Sequence, residues 1–460
     1  MRSAHYRCFD MKPLNIVYLH AHDAGRYLQP YGQAVSTPNL QQLAEEGMLF
    51  RQAFCGNPTC SPSRACLLTG QAAHETGMLG LAHRGFRLND YGNTLNQFLR
   101  NHGWHTALTG VQHLAKEPYA TLEELGYDEY LDHETDSSGK LKKLHGINSS
   151  FVTRTAEEFL ARDHDKPFFL DVGFFPPHRV NDGDFPMEVD RPNPNYVCPP
   201  AHLPDTAETR EDYANYMASV TTFDHYAGRV FEAIEENGLS ENTLVIATTD
   251  HGIAFPGMKC RLTDHGIGVF LILKGPNGFN GGKVTDSIVS HLDLFPTVCD
   301  VLELDAPDRL EGTSLVPLAN DPESAVREEI FAEVNFHAAY EPMRAIRTSK
   351  WKYIRHFDPR DHVTLPNCDN GLTKSLLCDE GWASRPVQEE ELYDLTFDPT
   401  ESCNLAADPQ YSETLLGLKG RLSGWMKETS DPILSGPLDA SEVITVDVRC
   451  YSPSGEPRKK

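Results

Sequence analysis

The chain has no apolar run approaching the ~18 residues that a membrane-crossing helix requires, which excludes a helical membrane protein. It is also short of positive charge: 41 lysines and arginines stand against 66 aspartates and glutamates, a formal net charge of −25 over 460 residues. That balance excludes bulk attraction to nucleic acid or to an anionic membrane. It admits a small anionic substrate where cationic side chains or a metal ion reverse the field locally. The 11 cysteines are odd in number and show no repeated spacing, so no disulfide framework is read from them. There is no internal repeat and no low-complexity tract. Residues Met1 to Asp10 lack the apolar core of a secretory signal, and Met11 offers a second start. These features point to a reducing cytoplasm, or to the periplasm or exterior if a signal has been removed.

What is present is ordinary globular material, 40% hydrophobic and 23% charged, enough to exclude wholesale disorder. Asn15 to Ala21 is a β-rich run followed at once by polar His22-Asp23 and a turn at Gly25. Pro38 to Gly47, Thr94 to Gly103 and Ser150 to Arg162 carry helical patterns, and Phe168 to Phe175 reads as a strand buried on both faces. Glu208 to Asn237 is one or two amphipathic helices. Thr243 to Thr249 is again a β run, again ending in polar residues, Asp250-His251, and Val269 to Leu273 is a further strand. The alternation predicts an α/β fold, a mainly parallel sheet with helices on both faces. In such sheets the strands' carboxyl ends carry the site. A polar, charged stretch near Asn320 to Arg327 divides the chain into units 11–325 and 326–460, the second a smaller α+β appendage.

The most specific stretch is Cys60-Ser61-Pro62-Ser63-Arg64-Ala65-Cys66-Leu67-Leu68-Thr69-Gly70. A buried cysteine at a helix start is the bland alternative. Yet Pro62, Arg64, Leu67, Thr69 and Gly70 all fall where the sulfatase signature has them, and the chain is identified as resembling that family. The resemblance implies an alkaline phosphatase-like fold and oxidation of Cys60 to formylglycine by a maturation enzyme. A hydrated aldehyde offers one hydroxyl to attack sulfur and another to expel sulfate. At a helix N-terminus it gains from unpaired backbone N–H groups, and Arg64, one turn on, approaches the same face.

The resemblance continues along the chain. His22-Asp23 falls where the family has an Asp-Asp metal pair, and Asp250-His251 where it has Asp-Asn or Asp-His. Asp23, His22, Asp250, His251 and modified Cys60 are thus the expected holders of one divalent metal, which acts as a Lewis acid on the sulfuryl group. Ca2+ is the expected ion, but His22 replaces a hard oxygen ligand with nitrogen, which leaves Mn2+, Mg2+ and Zn2+ open, or a supporting role for His22. His178, in Pro176-Pro177-His178, matches a histidine on the leaving side of the substrate. His113 matches the Gly-Lys-x-His segment, although Val111 stands in the lysine position. Lys259, eight residues past His251, matches a sulfate-binding cation, and His74 is read as structural support.

Within the family the chain looks most like the N-sulfoglucosamine sulfohydrolase group, through Asp250 to Pro256, Tyr340 to Arg344, Glu391 to Asp394, Asn404 to Ala406 and Asp408-Pro409. This implies a sulfatase acting on a sulfate ester or sulfamate of a small sulfated substrate, a sugar. The partners expected are that substrate and the maturation enzyme, with no nucleic acid and no membrane; a homo-oligomer is allowed. Two other readings stand beside it: a phosphonate monoester or phosphodiester hydrolase of the same superfamily, and a non-catalytic binder of sulfated sugars.

Overall fold

The computed structural model describes residues 14–116, 122–131, 133–135, 141–144, 148–180 and 183–456. Residues 11–13, which include Met11 and open the 11–325 unit, lie outside them. In chain order the strands begin with Asn15–Ala21 (β1), Met48–Phe54 (β2), His105–Gly110 (β3) and Glu129–Tyr130 (β4). His133–Thr135 (β5) and Leu141–Leu144 (β6) pair as a separate hairpin. Phe168–Gly173 (β7), Thr243–Thr249 (β8), Leu271–Lys274 (β9) and Lys283–Ser290 (β10) complete the first region. The main sheet has eight strands in the order β10-β2-β9-β8-β1-β7-β3-β4.

All its neighbours pair in parallel except β9, which runs antiparallel to both β2 and β8. The central strands are buried because their apolar side chains alternate between two cores. Ile16, Tyr18, Leu244 and Ile246 enter one; Val17, Leu19, Val245 and Ala247 enter the other. A single helix, Ala207–Glu236, covers the second face, so the amphipathic stretch is one element. The Pro38–Glu46 and Ser149–Leu160 helices pack beside it.

Glu329–Phe336 (β11), Tyr340–Thr348 (β12), Trp351–His356 (β13) and Glu390–Asp394 (β14) form a second, wholly antiparallel sheet in sequential order. One face joins the first core through Ile330, Ala332, Val334 and Phe336. The other is covered by the Ser412–Glu428 helix, whose Leu418, Leu422 and Met426 meet Ile346, Tyr353 and Leu392. No helix among the described residues is long and apolar enough to cross a membrane.

Candidate active site

Parallel register assembles the site. Ala21 lies opposite Thr249, so His22-Asp23 and Asp250-His251 leave the sheet side by side. His20 lies opposite Gly173 and Gly173 opposite Gly110, so the segments bearing His178 and His113 emerge next to them. From the end of β2 the chain returns at Cys60, the first residue of the Cys60–Thr69 helix. These groups therefore gather at the carboxyl ends of the strands. Gly173 is needed here: a Cβ would stand 2.3 Å from Val111 O and 2.7 Å from His20 Cε1. Asp23 and His113 hold left-handed backbone, φ 52° and 54°, of the kind that concentrates at functional sites.

The acidic pair is deeply buried. The Asp23 backbone N–H donates to Asp250 Oδ1 at 2.9 Å, and His251 N–H donates to the same oxygen at 3.0 Å. His22 Nδ1 lies 2.9 Å from Asp250 Oδ2, and His251 Nε2 lies 3.4 Å from Asp23 Oδ1. Burial is the largest influence and works against a charged His22, but the Asp250 and Asp23 carboxylates together outweigh it and lift the imidazole to about 10. His251 is likewise raised, against burial, to about 9 by Asp250 and Asp23. Asp23 Oδ1 is buried with no hydrogen-bond partner. An orphaned carboxylate oxygen amid a second carboxylate and two imidazoles is a donor set that fits a divalent cation. Asp23, Cys60, Asp250 and His251 offer ligand atoms all within 4.8 Å of one another, and so do His22, Asp23, Cys60 and His178.

Cys60 faces this cluster. Its Sγ is 3.4 Å from His251 Nε2, with a ring nitrogen of His178 within 4.8 Å and His113 also in electrostatic range. Burial opposes the thiolate, yet Lys259, His251 and the neighbouring imidazoles hold the thiol well below its ordinary value. Lys259 Nζ lies 2.8 Å from Asp23 Oδ2 and 3.1 Å from Asp369 Oδ2, so its charge is shared between two carboxylates. Arg64 donates to Asp250 Oδ2 at 3.2 Å and to His20 Nδ1 at 2.7 Å. Its direct contacts are therefore to Asp250 and to a histidine beneath it, with Cys60 in electrostatic range.

All nine residues singled out in the sequence, His22, Asp23, Cys60, Arg64, His113, His178, Asp250, His251 and Lys259, meet in this one place. His74 stands apart, with Nδ1 2.9 Å from Glu333 Oε1, and ties the region after the signature helix to β11. Sequence reasoning missed several residues. Asp369 and His337 arrive from the second sheet's region, Asp369 on Lys259 and His337 in electrostatic range of Cys60. His20, inside an apolar strand, donates through Nε2 to Asp171, which also accepts from Tyr127. His83 lies 3.3 Å from His113. Only the polar residue inside β1 offered a signal; the others depend on long-range packing.

Residues 14–304 match the family profile described as Sulfatase, and residues 259–371 match one described as N-sulphoglucosamine sulphohydrolase, C-terminal. The chain is similar to N-sulphoglucosamine sulphohydrolase of Homo sapiens, 29% identical across 93% of this chain and 92% of that protein. Among solved structures it resembles one in complex with its substrate D-glucosamine-2-N,6-O-disulfate, with TM-score 0.71 and 21% identity over 93% of this chain and 99% of that one. It also resembles the phosphonate monoester hydrolase of Agrobacterium radiobacter, with TM-score 0.66 and 22% identity over 92% and 97%.

Proposed function

The chain belongs to the sulfatase family, and from that premise we infer that it hydrolyses the sulfamate or sulfate ester of a sulfated glucosamine. The carrying observation is Cys60 at a helix N-terminus with Lys259, His251, His113 and His178 gathered around its sulfur. The match to a human N-sulphoglucosamine sulphohydrolase, and to the profile of that group's C-terminal part, supports the glucosamine.

In this reading Cys60 Sγ marks the place of the formylglycine oxygens. When present, that aldehyde hydrate supplies the nucleophile and the means of expelling sulfate, and a divalent cation supplies Lewis acidity at the sulfuryl oxygens. The chain's own groups do the rest. Arg64, braced by His20 and Asp250, faces the charge that develops on sulfur. Lys259, drawn between Asp23 and Asp369, adds a second positive charge. His178 has its Nδ1 engaged by the Arg179 carbonyl at 2.6 Å, so its imidazolium form presents an Nε2–H that can pass to the leaving nitrogen or oxygen. Burial keeps His113 neutral near pH 7, fit to hold a hydrogen bond rather than to carry charge. With two imidazoles beside two carboxylates, the site suits Mn2+ or Zn2+ better than Ca2+.

Mass spectrometry of the Cys60 peptide, together with sulfate release from N-sulfated and 6-O-sulfated glucosamine, tests this. An aldehyde residue at position 60 and turnover of either sugar are expected. A thiol that stays unmodified after coexpression with a maturation enzyme, with no sulfate released, overturns it. A phosphonate ester hydrolysed faster than the sulfate ester of the same leaving group transfers the assignment to phosphonate chemistry, which the Asp250-His251 pair also permits.

A further inference from the structure

Three polar side chains on the open side of the site have no assigned contact with the sulfuryl group: His83, His337 and Asp369. His83 is exposed and Asp369 partly so, whereas Asp23, Asp250 and His251 are buried. They stand as an arc. His83 lies in electrostatic range of His337, and His337 of Asp369, while both imidazoles feel Cys60. We propose that this arc reads the hydroxyl groups of the substrate's ring, and that residues 444–453 position its members as one unit. This rests on the sulfatase reading and adds the part of the site that recognises the sugar.

Two observations carry the proposal. First, the arc is polar and unsatisfied. His337 Nδ1 and Asp369 Oδ2 are buried atoms with no hydrogen-bond partner among the described residues. Lys259 answers the Asp369 charge at 3.1 Å, but outside hydrogen-bonding alignment. Burial keeps both imidazoles of the arc neutral near pH 7. An unpaired buried polar atom is costly, and a carboxylate accepts only from a donor. Two neutral imidazoles and one carboxylate therefore suit the O–H groups of a neutral ring, and they repel a further anionic substituent beside the scissile group.

Second, the C-terminal segment grips the residue that follows each member of the arc. The Ile444 N–H donates to Arg84 O at 2.7 Å, and the Arg84 guanidinium donates to Pro453 O at 2.7 Å. The Val446 N–H donates to Ala338 O at 2.9 Å. Asn370 Nδ2 donates to Ser452 Oγ at 3.2 Å. The Lys374 ammonium ties the other side of Asp369 to the same segment, donating to Cys368 O and Tyr451 O, each at 2.6 Å. Asn367 closes the frame, its Oδ1 accepting the Ala338 and Ala339 N–H groups at 3.0 and 2.8 Å. Residues 444–453 hold neither helix nor strand, so these bonds give the segment its order. Groups fixed before the sugar arrives lose little freedom on binding it.

The test compares two sulfamates that differ in their ring hydroxyls, N-sulfoglucosamine and cyclohexylsulfamate. The full chain is produced without the maturation enzyme, mass spectrometry confirms a thiol at Cys60, and calorimetry in Mn2+-containing buffer gives Kd for each. The unaltered chain should bind the sugar at least about tenfold more tightly. Equal affinity, or none for either, overturns the proposal without any variant. His83→Ala, His337→Ala and Asp369→Ala, checked for folding by circular dichroism, should each cut that preference by about 5- to 150-fold or abolish it. A preference unchanged in all three overturns the reading of the arc. Arg84→Met loses its bond to Pro453 and should weaken the sugar by about 2- to 10-fold. Its affinity for cyclohexylsulfamate should stay at the unaltered value, a split that general loosening of the site would not give. Equal weakening of both ligands, or of neither, overturns the positioning role of residues 444–453. Sulfate release is measured on the matured chain: the hydroxyl preference without turnover removes the functional reading alone, and turnover of both sulfamates at equal kcat/KM removes this inference alone.

Discussion

Lys259 reaches Asp369 at 3.1 Å while holding Asp23 at 2.8 Å, so one buried ammonium joins the strand-end acid to the segment that connects β13 and β14 of the second sheet. Both carboxyls are held below the usual range, against burial, first by Lys259. A charge-assisted contact of this kind contributes about 1.5–3 kcal/mol. Lys259→Ala should therefore lower kcat/KM by roughly 10- to 150-fold, mostly in kcat if the contact strengthens as charge develops on sulfur. Steady-state kinetics on a sulfated substrate measures it. Near-normal kcat would reduce Lys259 to a brace for Asp23 and leave the sulfuryl group to Arg64 and the histidines.

His20 gives the fold a pH dependence. Burial first, and then the Arg64 guanidinium, lowers its pKa from 6.5 to about 4. The unfolded chain therefore binds this proton more readily than the native one. The contribution is intact above pH 6.5 and is lost as pH falls toward 4, by at most about 3 kcal/mol. His20→Leu removes that proton. Urea unfolding between those pH values should show a shallower acid slope in the variant, together with lower stability at pH 7, where Arg64 loses an acceptor. Parallel slopes would mean that His20 titrates alike in both states.

A second titration lies away from the site. Burial, helped by the neighbouring Glu75 carboxyl, raises Glu311 to about 8, while its Oε1 accepts the Ala72 N–H at 2.5 Å. The native state holds this proton more tightly, so stability declines as pH rises from 4.5 through 8. Glu311→Gln keeps an acceptor for Ala72 and cannot ionise. It should match the wild type near pH 5 and exceed it by about 1–3 kcal/mol above pH 8. Equal midpoints at high pH would show that Glu311 ionises alike in the native and unfolded states.

Much of this was legible because it is local. The runs that became β1, β7 and β8 are apolar enough to be buried on both faces, and the polar pairs at the ends of β1 and β8 sit beside them in sequence. Cys60 and Arg64 share one helix. The direction of β9 was not legible from alternation. Between β8 and β9 the chain is given over to the site residues and the four-residue helix Asp264–Ile267 rather than to a covering helix, and the strand returns antiparallel. Asp369 and His337 were missed for another reason. Nothing near them in sequence marks a site, and only the docking of the second sheet onto the first core brings them to Lys259 and Cys60.

That docking has a charged anchor. Lys352, wholly buried on β13, places Nζ 2.5 Å from Asp264 Oδ1 and 3.0 Å from Glu401 Oε1. Arg347 on β12 adds a contact to Asp264 Oδ2 at 3.1 Å. Burial lifts Glu401 to about 7 although Lys352 pulls the other way, so this carboxylate depends on the lysine to stay charged. Lys352→Met removes the ammonium and leaves two buried acids, at a cost of about 3–5 kcal/mol for breaking such a network. Arg347 and Arg26 still face Asp264, whereas Glu401 has no other cation in contact among the described residues and must take up a proton. The penalty should therefore shrink below pH 7. Adding Glu401→Gln, whose amide oxygen can still accept the Asp264 N–H, should recover about half of it at pH 8, a coupling of about 1–3 kcal/mol between residues in contact. Denaturant unfolding of both single variants and the double closes the cycle. If the two losses simply add, Lys352 and Glu401 act independently, and the second sheet is held by its apolar face and Arg347 instead.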